Sequence, residues 1–260
     1  MAVMNCHFYS TTLKQPVDVN VFIPTPEENE RTACPCGSGY PVLYLLHGAF
    51  GDYSSWMHYS NIERYARKHC CAVVMPSGEN SFYQDMYRGK KYFTFFTEEL
   101  TGFIKNMFPV SRRREDTFAA GFSMGGYGAW YLALRRPDIY AKAASLSGCL
   151  DIGKTYEGAK VGLFEGPFLW EEIFEDPKHL TGGPADILPL YDRCAAGGDV
   201  PGLYFACGTE DFLYEMNRAV KRKLEERGAD FVFEEGRGHH SWNFWDKYIQ
   251  NALDWMLPRK

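Results

Sequence analysis

The chain has 260 residues and a formal net charge of -5 at pH 7, and 45% of its residues are hydrophobic. This length fits one large α/β domain or two small ones, and this composition supplies a sizeable buried core. The acidic balance argues against nucleic-acid binding, which needs a clustered basic face, and no stretch approaches the roughly 18 apolar residues of a membrane span. The N-terminus shows no basic segment followed by an apolar one, so we predict a cytoplasmic protein.

Apolar runs alternate with segments of helical periodicity along most of the chain. An apolar–polar alternation predicts a half-exposed strand at 17–23, and continuous apolar runs are typical of strands buried on both faces. Such runs predict strands at 41–46, 71–75, 117–120, 141–146, 203–206 and 231–234. Helical spacing predicts helices at 54–69, 93–107, 127–136, 216–227 and 242–256. Strands that alternate with helices imply an α/β fold with a mainly parallel sheet flanked by helices on both faces.

The segment at about 151–200 breaks this alternation. It is rich in glycine, proline and aromatic residues, which predicts a loop or partial cap near the carboxyl ends of the strands, where such sheets bind ligands. We therefore expect a single domain over residues 1–260 with a small insertion.

The eight cysteines are expected to be free thiols in a reducing cytosol. Cys34 and Cys36 are a tempting pair, but no matching histidine or cysteine pair at zinc spacing follows them. We predict neither a metal nor a cofactor.

Ser123 lies in Gly121-Phe-Ser123-Met-Gly125, which fits G-x-S-x-G between a predicted strand and a predicted helix. A nucleophile on such a sharp turn needs neighbours without bulk, so that strand and helix can pack closely. The turn also places the Met124 N–H at a helix N-terminus, where it stabilises a developing oxyanion. This context predicts a nucleophilic serine.

A serine nucleophile needs a base and a group that orients the base, and on this fold the acid precedes the histidine. Asp211 follows one late strand and is the predicted acid, with Glu210 as the alternative. His239 and His240 follow the next strand, and their spacing does not distinguish which of them faces the serine.

A second oxyanion donor is expected in the loop after an early strand, where His47-Gly48-Ala49-Phe50 opens. We predict the Ala49 N–H, with Phe50 second, because a His-Gly opening suits a backbone donor aimed at a substrate carbonyl. His47 itself is expected to be a packed loop residue.

These motifs resemble the tributyrin esterase and esterase D group of the α/β-hydrolase superfamily, which includes S-formylglutathione hydrolases, feruloyl and acetylxylan esterases and mycolyltransferases. The resemblance rests on LLHGAFGDYSSW (45–56), MPSGENSFYQDMYRGKKYFTFFTEEL (75–100), AAGFSMGGYGAWYLAL (119–134), CGTEDFLY (207–214) and GHHSWNFW (238–245). It implies an α/β-hydrolase fold with a mostly parallel sheet of about eight strands.

The resemblance also selects among the candidate residues. The family's ending places the catalytic histidine two residues before a tryptophan, and Trp242 makes that residue His240. The acid carries over to Asp211, and the oxyanion donors carry over to Ala49 and Met124. The family is often oligomeric, which implies a possible homo-oligomer.

We therefore predict a serine carboxylesterase that hydrolyses short-chain acyl esters, such as acetyl or butyryl esters, with a small-molecule ester as its partner. Feruloyl or acetyl-xylooligosaccharide esterase and S-formylglutathione-type thioesterase activities are the alternatives. S-formylglutathione hydrolases resemble GHSMGGHGA around the serine, whereas this chain has GFSMGGYGA, with Phe122 and Tyr127 in place of both histidines. An acyltransferase or a non-catalytic binding module is a weaker alternative.

Overall fold

The computed structural model describes residues 2–25, 39–163 and 168–258. An eight-stranded sheet in the order β1-β2-β4-β3-β5-β6-β7-β8 runs through it. Its strands are β1 (Ala2–Ser10), β2 (Gln15–Ile23), β3 (Val42–Leu46), β4 (Ala72–Pro76), β5 (Thr117–Phe122), β6 (Lys142–Leu146), β7 (Gly202–Gly208) and β8 (Val232–Gly236). The six strands β3 to β8 are parallel to one another, whereas β2 pairs antiparallel with both β1 and β4. The predicted mostly parallel α/β-hydrolase sheet is confirmed.

The edge strand β1 is the one strand of the described sheet that the sequence pattern does not predict. Its side chains alternate between half-buried and exposed positions along nearly its whole length. Two of the outward side chains, Val3 and Tyr9, are apolar although 44% and 60% exposed. Because these outward residues are apolar, the segment lacks the regular apolar–polar alternation by which such a strand is recognised.

Ten helices are described, and they pack on both faces of the sheet. They are α1 (Ser55–Tyr59), α2 (Ile62–Lys68), α3 (Tyr92–Thr94), α4 (Leu100–Met107), α5 (Met124–Arg135), α6 (Ile152–Lys160), α7 (Trp170–Ile173), α8 (Ile187–Gly197), α9 (Tyr214–Glu225) and α10 (Trp242–Met256). The helix predicted at 54–69 is divided into α1 and α2 at Ser60 and Asn61. A π-helical turn (Phe95–Glu99) joins α3 to α4, so the helix predicted at 93–107 is continuous but not uniform.

The segment at 151–200 contains more regular structure than the predicted loop. Asp151 and Asp186 cap the N-termini of α6 and α8 by accepting hydrogen bonds from the Lys154 and Leu188 N–H groups. Gly198 ends α8 in the left-handed conformation that glycine favours. An Asp at the N-cap and a Gly after the C-terminus are sequence signals of helix boundaries, although the glycine-, proline- and aromatic-rich composition of this segment predicts a loop.

The helix α5, which follows Ser123, lies at the centre of the fold. Its residues from Met124 to Leu134 are all buried, and it packs against β3, β5 and β6. Its apolar side chains belong to one of two apolar layers, which lie on the two faces of the sheet. The turn before α5 is therefore held between rigid elements.

Among the cysteines that the structure describes, Cys70 departs from the prediction of free thiols, since it is disulfide-bonded. Cys6, Cys71, Cys149, Cys194 and Cys207 are free thiols. Cys34 and Cys36 lie outside the described residues. Within the three described ranges, no cluster of His, Cys, Asp and Glu side chains could hold a metal ion, and no helix could cross a membrane.

Candidate active site

Ser123 occupies a strained turn between β5 and α5. Its backbone has φ 54° and ψ -121°, a positive φ that costs a non-glycine residue of order 1–3 kcal/mol. A Cβ on Gly125 would lie 2.4 Å from the His47 carbonyl oxygen, and one on Gly121 would lie 2.4 Å from the Gly125 oxygen. The glycines that flank the serine are thus required by backbone contacts, as the sequence predicts.

The structure brings Ser123, His240 and Asp211 together. The Ser123 Oγ lies 3.0 Å from the His240 Nε2. The His240 Nδ1 lies 2.9 Å and 3.1 Å from the two carboxylate oxygens of Asp211. Since the carboxylate can only accept, the proton of the imidazole resides on Nδ1 and leaves Nε2 free to accept the serine proton.

Contacts between the loops that follow β7 and β8 hold Asp211 next to His240. The Glu210 N–H donates to the Gly238 oxygen, and a Cβ on Gly208 would lie 2.2 Å from the same oxygen. The Asp211 carboxylate is fully buried and accepts a further hydrogen bond from the Leu213 N–H. A buried carboxylate held by several donors keeps a fixed position behind the imidazole.

Aromatic rings restrict the His240 imidazole. The Phe212 ring lies 4.6 Å from the imidazole centroid, and Trp245 meets the imidazole edge-on at 4.9 Å. Trp245 is itself held by its Nε1–H, which donates to the Ser147 hydroxyl over 3.1 Å. Ser147 has a φ of 49° and is fully buried, and no motif in the sequence identifies it as a support of the site.

The adjacent pair Glu210 and His239 lies apart from the serine. The His239 Nε2 lies 3.1 Å from a Glu210 carboxylate oxygen, and Arg237 pairs with the other oxygen at 3.1 Å. The His239 side chain is 73% exposed, whereas the His240 side chain is 18% exposed. Both residues that the residue pattern left as alternatives therefore face solvent and bind each other.

The loop after β3 lies directly against the serine turn and carries the predicted oxyanion donor Ala49. Among the described groups, none accepts a hydrogen bond from the N–H of Ala49 or of Met124. The N–H of Phe50, the other candidate, donates to the Asn80 Oδ1 at 2.8 Å. Phe50 adopts a φ of 61°, so the chain turns sharply immediately after Ala49.

His47 supports this loop and is not part of the reacting group. Its Nε2 accepts a hydrogen bond from the Gly78 N–H at 2.8 Å, and its Nδ1 lies 2.6 Å from the Gly48 oxygen. This arrangement requires a neutral ring with the proton on Nδ1. Burial lowers the pKa of His47, which favours the same neutral form. His47 is thus the packed loop residue that the sequence predicts.

Cys149 is a second potential nucleophile next to the serine. Its N–H donates to the Ser123 carbonyl oxygen at 3.3 Å. Burial raises the pKa of its thiol to about 12, although a side-chain hydrogen bond with Ser123 opposes this. Because thiolates and not thiols attack, the cysteine is unreactive at neutral pH and the serine hydroxyl is the nucleophile that the geometry favours.

Known proteins to which this chain is similar include esterases and other serine hydrolases. A model of the Esterase family, described as "Putative esterase", matches residues 10–256. The acetyl esterase of Caldicellulosiruptor saccharolyticus is 36% identical to this chain over 98% of each sequence. The substrate-bound fluorophosphonate-binding serine hydrolase F of Staphylococcus aureus is 32% identical, with a TM-score of 0.89 over 99% of each chain. The S-formylglutathione hydrolase of Staphylococcus aureus is 32% identical, with a TM-score of 0.85 over 98% of each chain.

Proposed function

The chain belongs to the Esterase family and is a carboxylic ester hydrolase, and we propose that it cleaves short-chain acyl esters through an acyl-enzyme on Ser123. The observation that carries this proposal is the continuous line of hydrogen bonds from the Ser123 Oγ through His240 to Asp211. A serine hydroxyl at its ordinary pKa is a weak nucleophile, and this line supplies the base that activates it.

In the first half of the reaction, the Ser123 Oγ attacks the ester carbonyl carbon while the His240 Nε2 takes the hydroxyl proton. Asp211 holds the imidazole by its Nδ1–H and stabilises the positive charge that develops on the ring. The tetrahedral intermediate then collapses, the bond to the alcohol oxygen breaks, and His240 returns its proton to the departing alcohol. The acyl group remains on Ser123.

We propose that the Ala49 and Met124 N–H groups stabilise the oxyanion of this intermediate. Both lack an acceptor among the residues described, and Met124 begins α5, where the helix dipole adds a favourable positive potential. The engagement of the Phe50 N–H by Asn80 supports Ala49 over Phe50 as the second donor. In the second half of the reaction, His240 deprotonates a water that attacks the acyl carbon and releases the acid.

A small acyl group is supported by the similarity to an acetyl esterase and by the packing of the aromatic segments. Phe82, Trp170 and Phe174 are each less than a tenth exposed. The centroid of the Phe82 ring lies 5.0 Å from that of Trp170 and 6.3 Å from that of Phe174. These rings fill space with one another, so we assign acetyl esters as the preferred substrates and butyryl esters as the next.

The experiment that tests the proposal is hydrolysis of p-nitrophenyl acetate and p-nitrophenyl butyrate by purified variants. Ser123→Ala and His240→Ala are expected to lose at least about a thousandfold in kcat, because the members of a triad act as a unit. His239→Ala is the matched control and is expected to stay within about threefold of the wild type, since its ring is exposed and bound to Glu210. Near-wild-type turnover by Ser123→Ala, or a reversed order of the two histidine variants, would refute the assignment.

Thioester hydrolysis is the second candidate, and the similarity to an S-formylglutathione hydrolase favours it. The same serine chemistry acts on a thioester, so the preferred substrate and not the mechanism distinguishes the two functions. A higher kcat/KM for S-formylglutathione than for p-nitrophenyl acetate would select the thioesterase.

A further inference from the structure

Asn217 is a fully buried polar side chain that the mechanism above does not use. It lies near the start of α9. Its Nδ2 donates hydrogen bonds to the carbonyl oxygens of Gly148 and Leu213, both at 3.0 Å. An amide nitrogen carries two hydrogens, so these two bonds use its whole donor capacity. Since carbonyl oxygens can only accept, the two partners also fix which end of the amide faces them.

The first of these hydrogen bonds leads to Ser123 through a single peptide group. The Gly148 oxygen and the Cys149 N–H belong to one peptide, and this N–H donates to the Ser123 carbonyl oxygen at 3.3 Å. Because a peptide group is planar, a donor that holds its oxygen also fixes the direction of its N–H. Ser123 has a φ of 54°, and a strained residue of this kind persists only where its surroundings over-determine it. Asn217 therefore contributes to the support of the nucleophile.

The second hydrogen bond leads to the acid. The Leu213 oxygen that accepts from the Asn217 Nδ2 also accepts from the Asn217 backbone N–H at 2.9 Å. The Leu213 N–H, in turn, donates to the Asp211 Oδ1 at 2.9 Å. Asn217 thus binds twice to the residue that holds the carboxylate. One side chain connects the support of the serine with the turn that places the acid behind the His240 imidazole.

The remaining polar atom of the Asn217 amide argues against a purely packing role. Its Oδ1 is buried and has no hydrogen-bond partner within the described ranges of the chain. An unpaired buried acceptor is destabilising, and an apolar side chain of similar shape would avoid it. We propose that Asn217 is a positioning residue that holds the supports of Ser123 and Asp211 at a fixed separation and thereby sets the rate of acyl transfer. The inference rests on the proposed Ser123–His240–Asp211 mechanism.

The test is hydrolysis of p-nitrophenyl acetate by Asn217→Leu, which keeps the approximate size of the side chain and removes both donors. The kcat is expressed per active site titrated with diethyl p-nitrophenyl phosphate, so that unfolded molecules do not contribute. We expect kcat to fall roughly ten- to a hundredfold while KM changes less than about twofold, because a small displacement of the reacting groups affects the transition state more than binding. Asn217→Ser removes bulk and adds no charge, and a loss of roughly three- to tenfold in this milder variant keeps the test decisive if the leucine variant does not fold.

Leu224→Ala is the matched control for a general loosening of α9. Leu224 is fully buried on the same helix, seven residues and about 10 Å further along. We expect this variant to lower the urea midpoint and to keep kcat within about twofold of the wild type. A second readout is the downfield ¹H NMR signal of the proton between His240 and Asp211, which Asn217→Leu is expected to shift or broaden and Leu224→Ala to leave in place.

Three results would overturn the role of Asn217. They are a kcat within about twofold of the wild type in both Asn217 variants, a change confined to KM, and an equal loss of kcat in Leu224→Ala at equal loss of stability. Failure of the serine mechanism itself is distinguishable, since it would appear as p-nitrophenyl acetate hydrolysis that survives Ser123→Ala.

Discussion

Asn80 is expected to control the rate of the chemical step without touching the substrate carbonyl. Its Oδ1 accepts the Phe50 N–H at 2.8 Å across 30 residues of sequence. This bond holds Phe50 at a φ of 61°, and Phe50 in turn fixes the direction of the preceding Ala49 N–H. We therefore predict that Asn80→Ala lowers kcat for p-nitrophenyl acetate while KM changes little.

The expected fall in kcat follows from two free energies: the cost of the positive φ at Phe50 and the contribution of the hydrogen bond that offsets this cost. A left-handed conformation at a bulky residue costs about 1–2 kcal/mol, and a hydrogen bond of this type contributes about 0.5–1.5 kcal/mol. Without the bond, Phe50 relaxes to a negative φ in most molecules, and the productive loop becomes the minor state. A change of about 1–1.4 kcal/mol corresponds to a fall of about five- to tenfold in kcat.

The control is Asn80→Asp, which retains the acceptor oxygen and is expected to restore kcat to within about threefold of the wild type. A general loss of packing would not be rescued in this way. Steady-state kinetics of the three proteins with p-nitrophenyl acetate is the assay, with thermal melts to verify folding. A kcat for Asn80→Ala within twofold of the wild type, or a change confined to KM, would refute the role assigned to Asn80.

Two further predictions concern the framework of the site. Gly125→Ala is expected to destabilise the fold by about 3 kcal/mol or more and to remove activity, because its Cβ would clash with the His47 carbonyl oxygen. Gly102→Ala in α4 is its control and is expected to stabilise by about 0.5–1 kcal/mol, since nothing lies within 4 Å of the added Cβ; equal urea midpoints for the two variants would contradict this. Burial alone would raise the pKa of Glu99, but hydrogen bonds from Ser10 and Thr12 outweigh it and lower the pKa to about 2. Glu99→Gln is expected to lose about 1–2 kcal/mol at pH 7, discounted for partial exposure, and the difference in urea midpoint should shrink as pH falls from about 4.5 toward 2; a difference that is constant with pH would contradict the contribution of the charge.

The parallel part of the fold could be predicted because its signals are local. The buried strands are dominated by apolar residues, and helices such as α5 and α10 end close to where proline or periodicity indicates. The edge strand β1 could not be recognised in the same way, since the outward side chains Val3 and Tyr9 carry no polar signature. What stabilises β1 is its register with β2, which is a property of the pair and not of either segment.

The chain order of the proposed catalytic residues could also be predicted from the sequence, whereas the residues that support them could not. Ser123, Asp211 and His240 each follow a strand, and parallel strands bring their carboxyl ends to one edge, so chain order alone brings them together. Asn80 and Ser147 support the site from loops that are distant in sequence, through single hydrogen bonds to Phe50 and Trp245. Nothing in the periodicity of the chain predicts such contacts, because they depend on where two loops meet after folding. The reaction type is thus encoded by local motifs, while the contacts that support the site are revealed only by the folded chain.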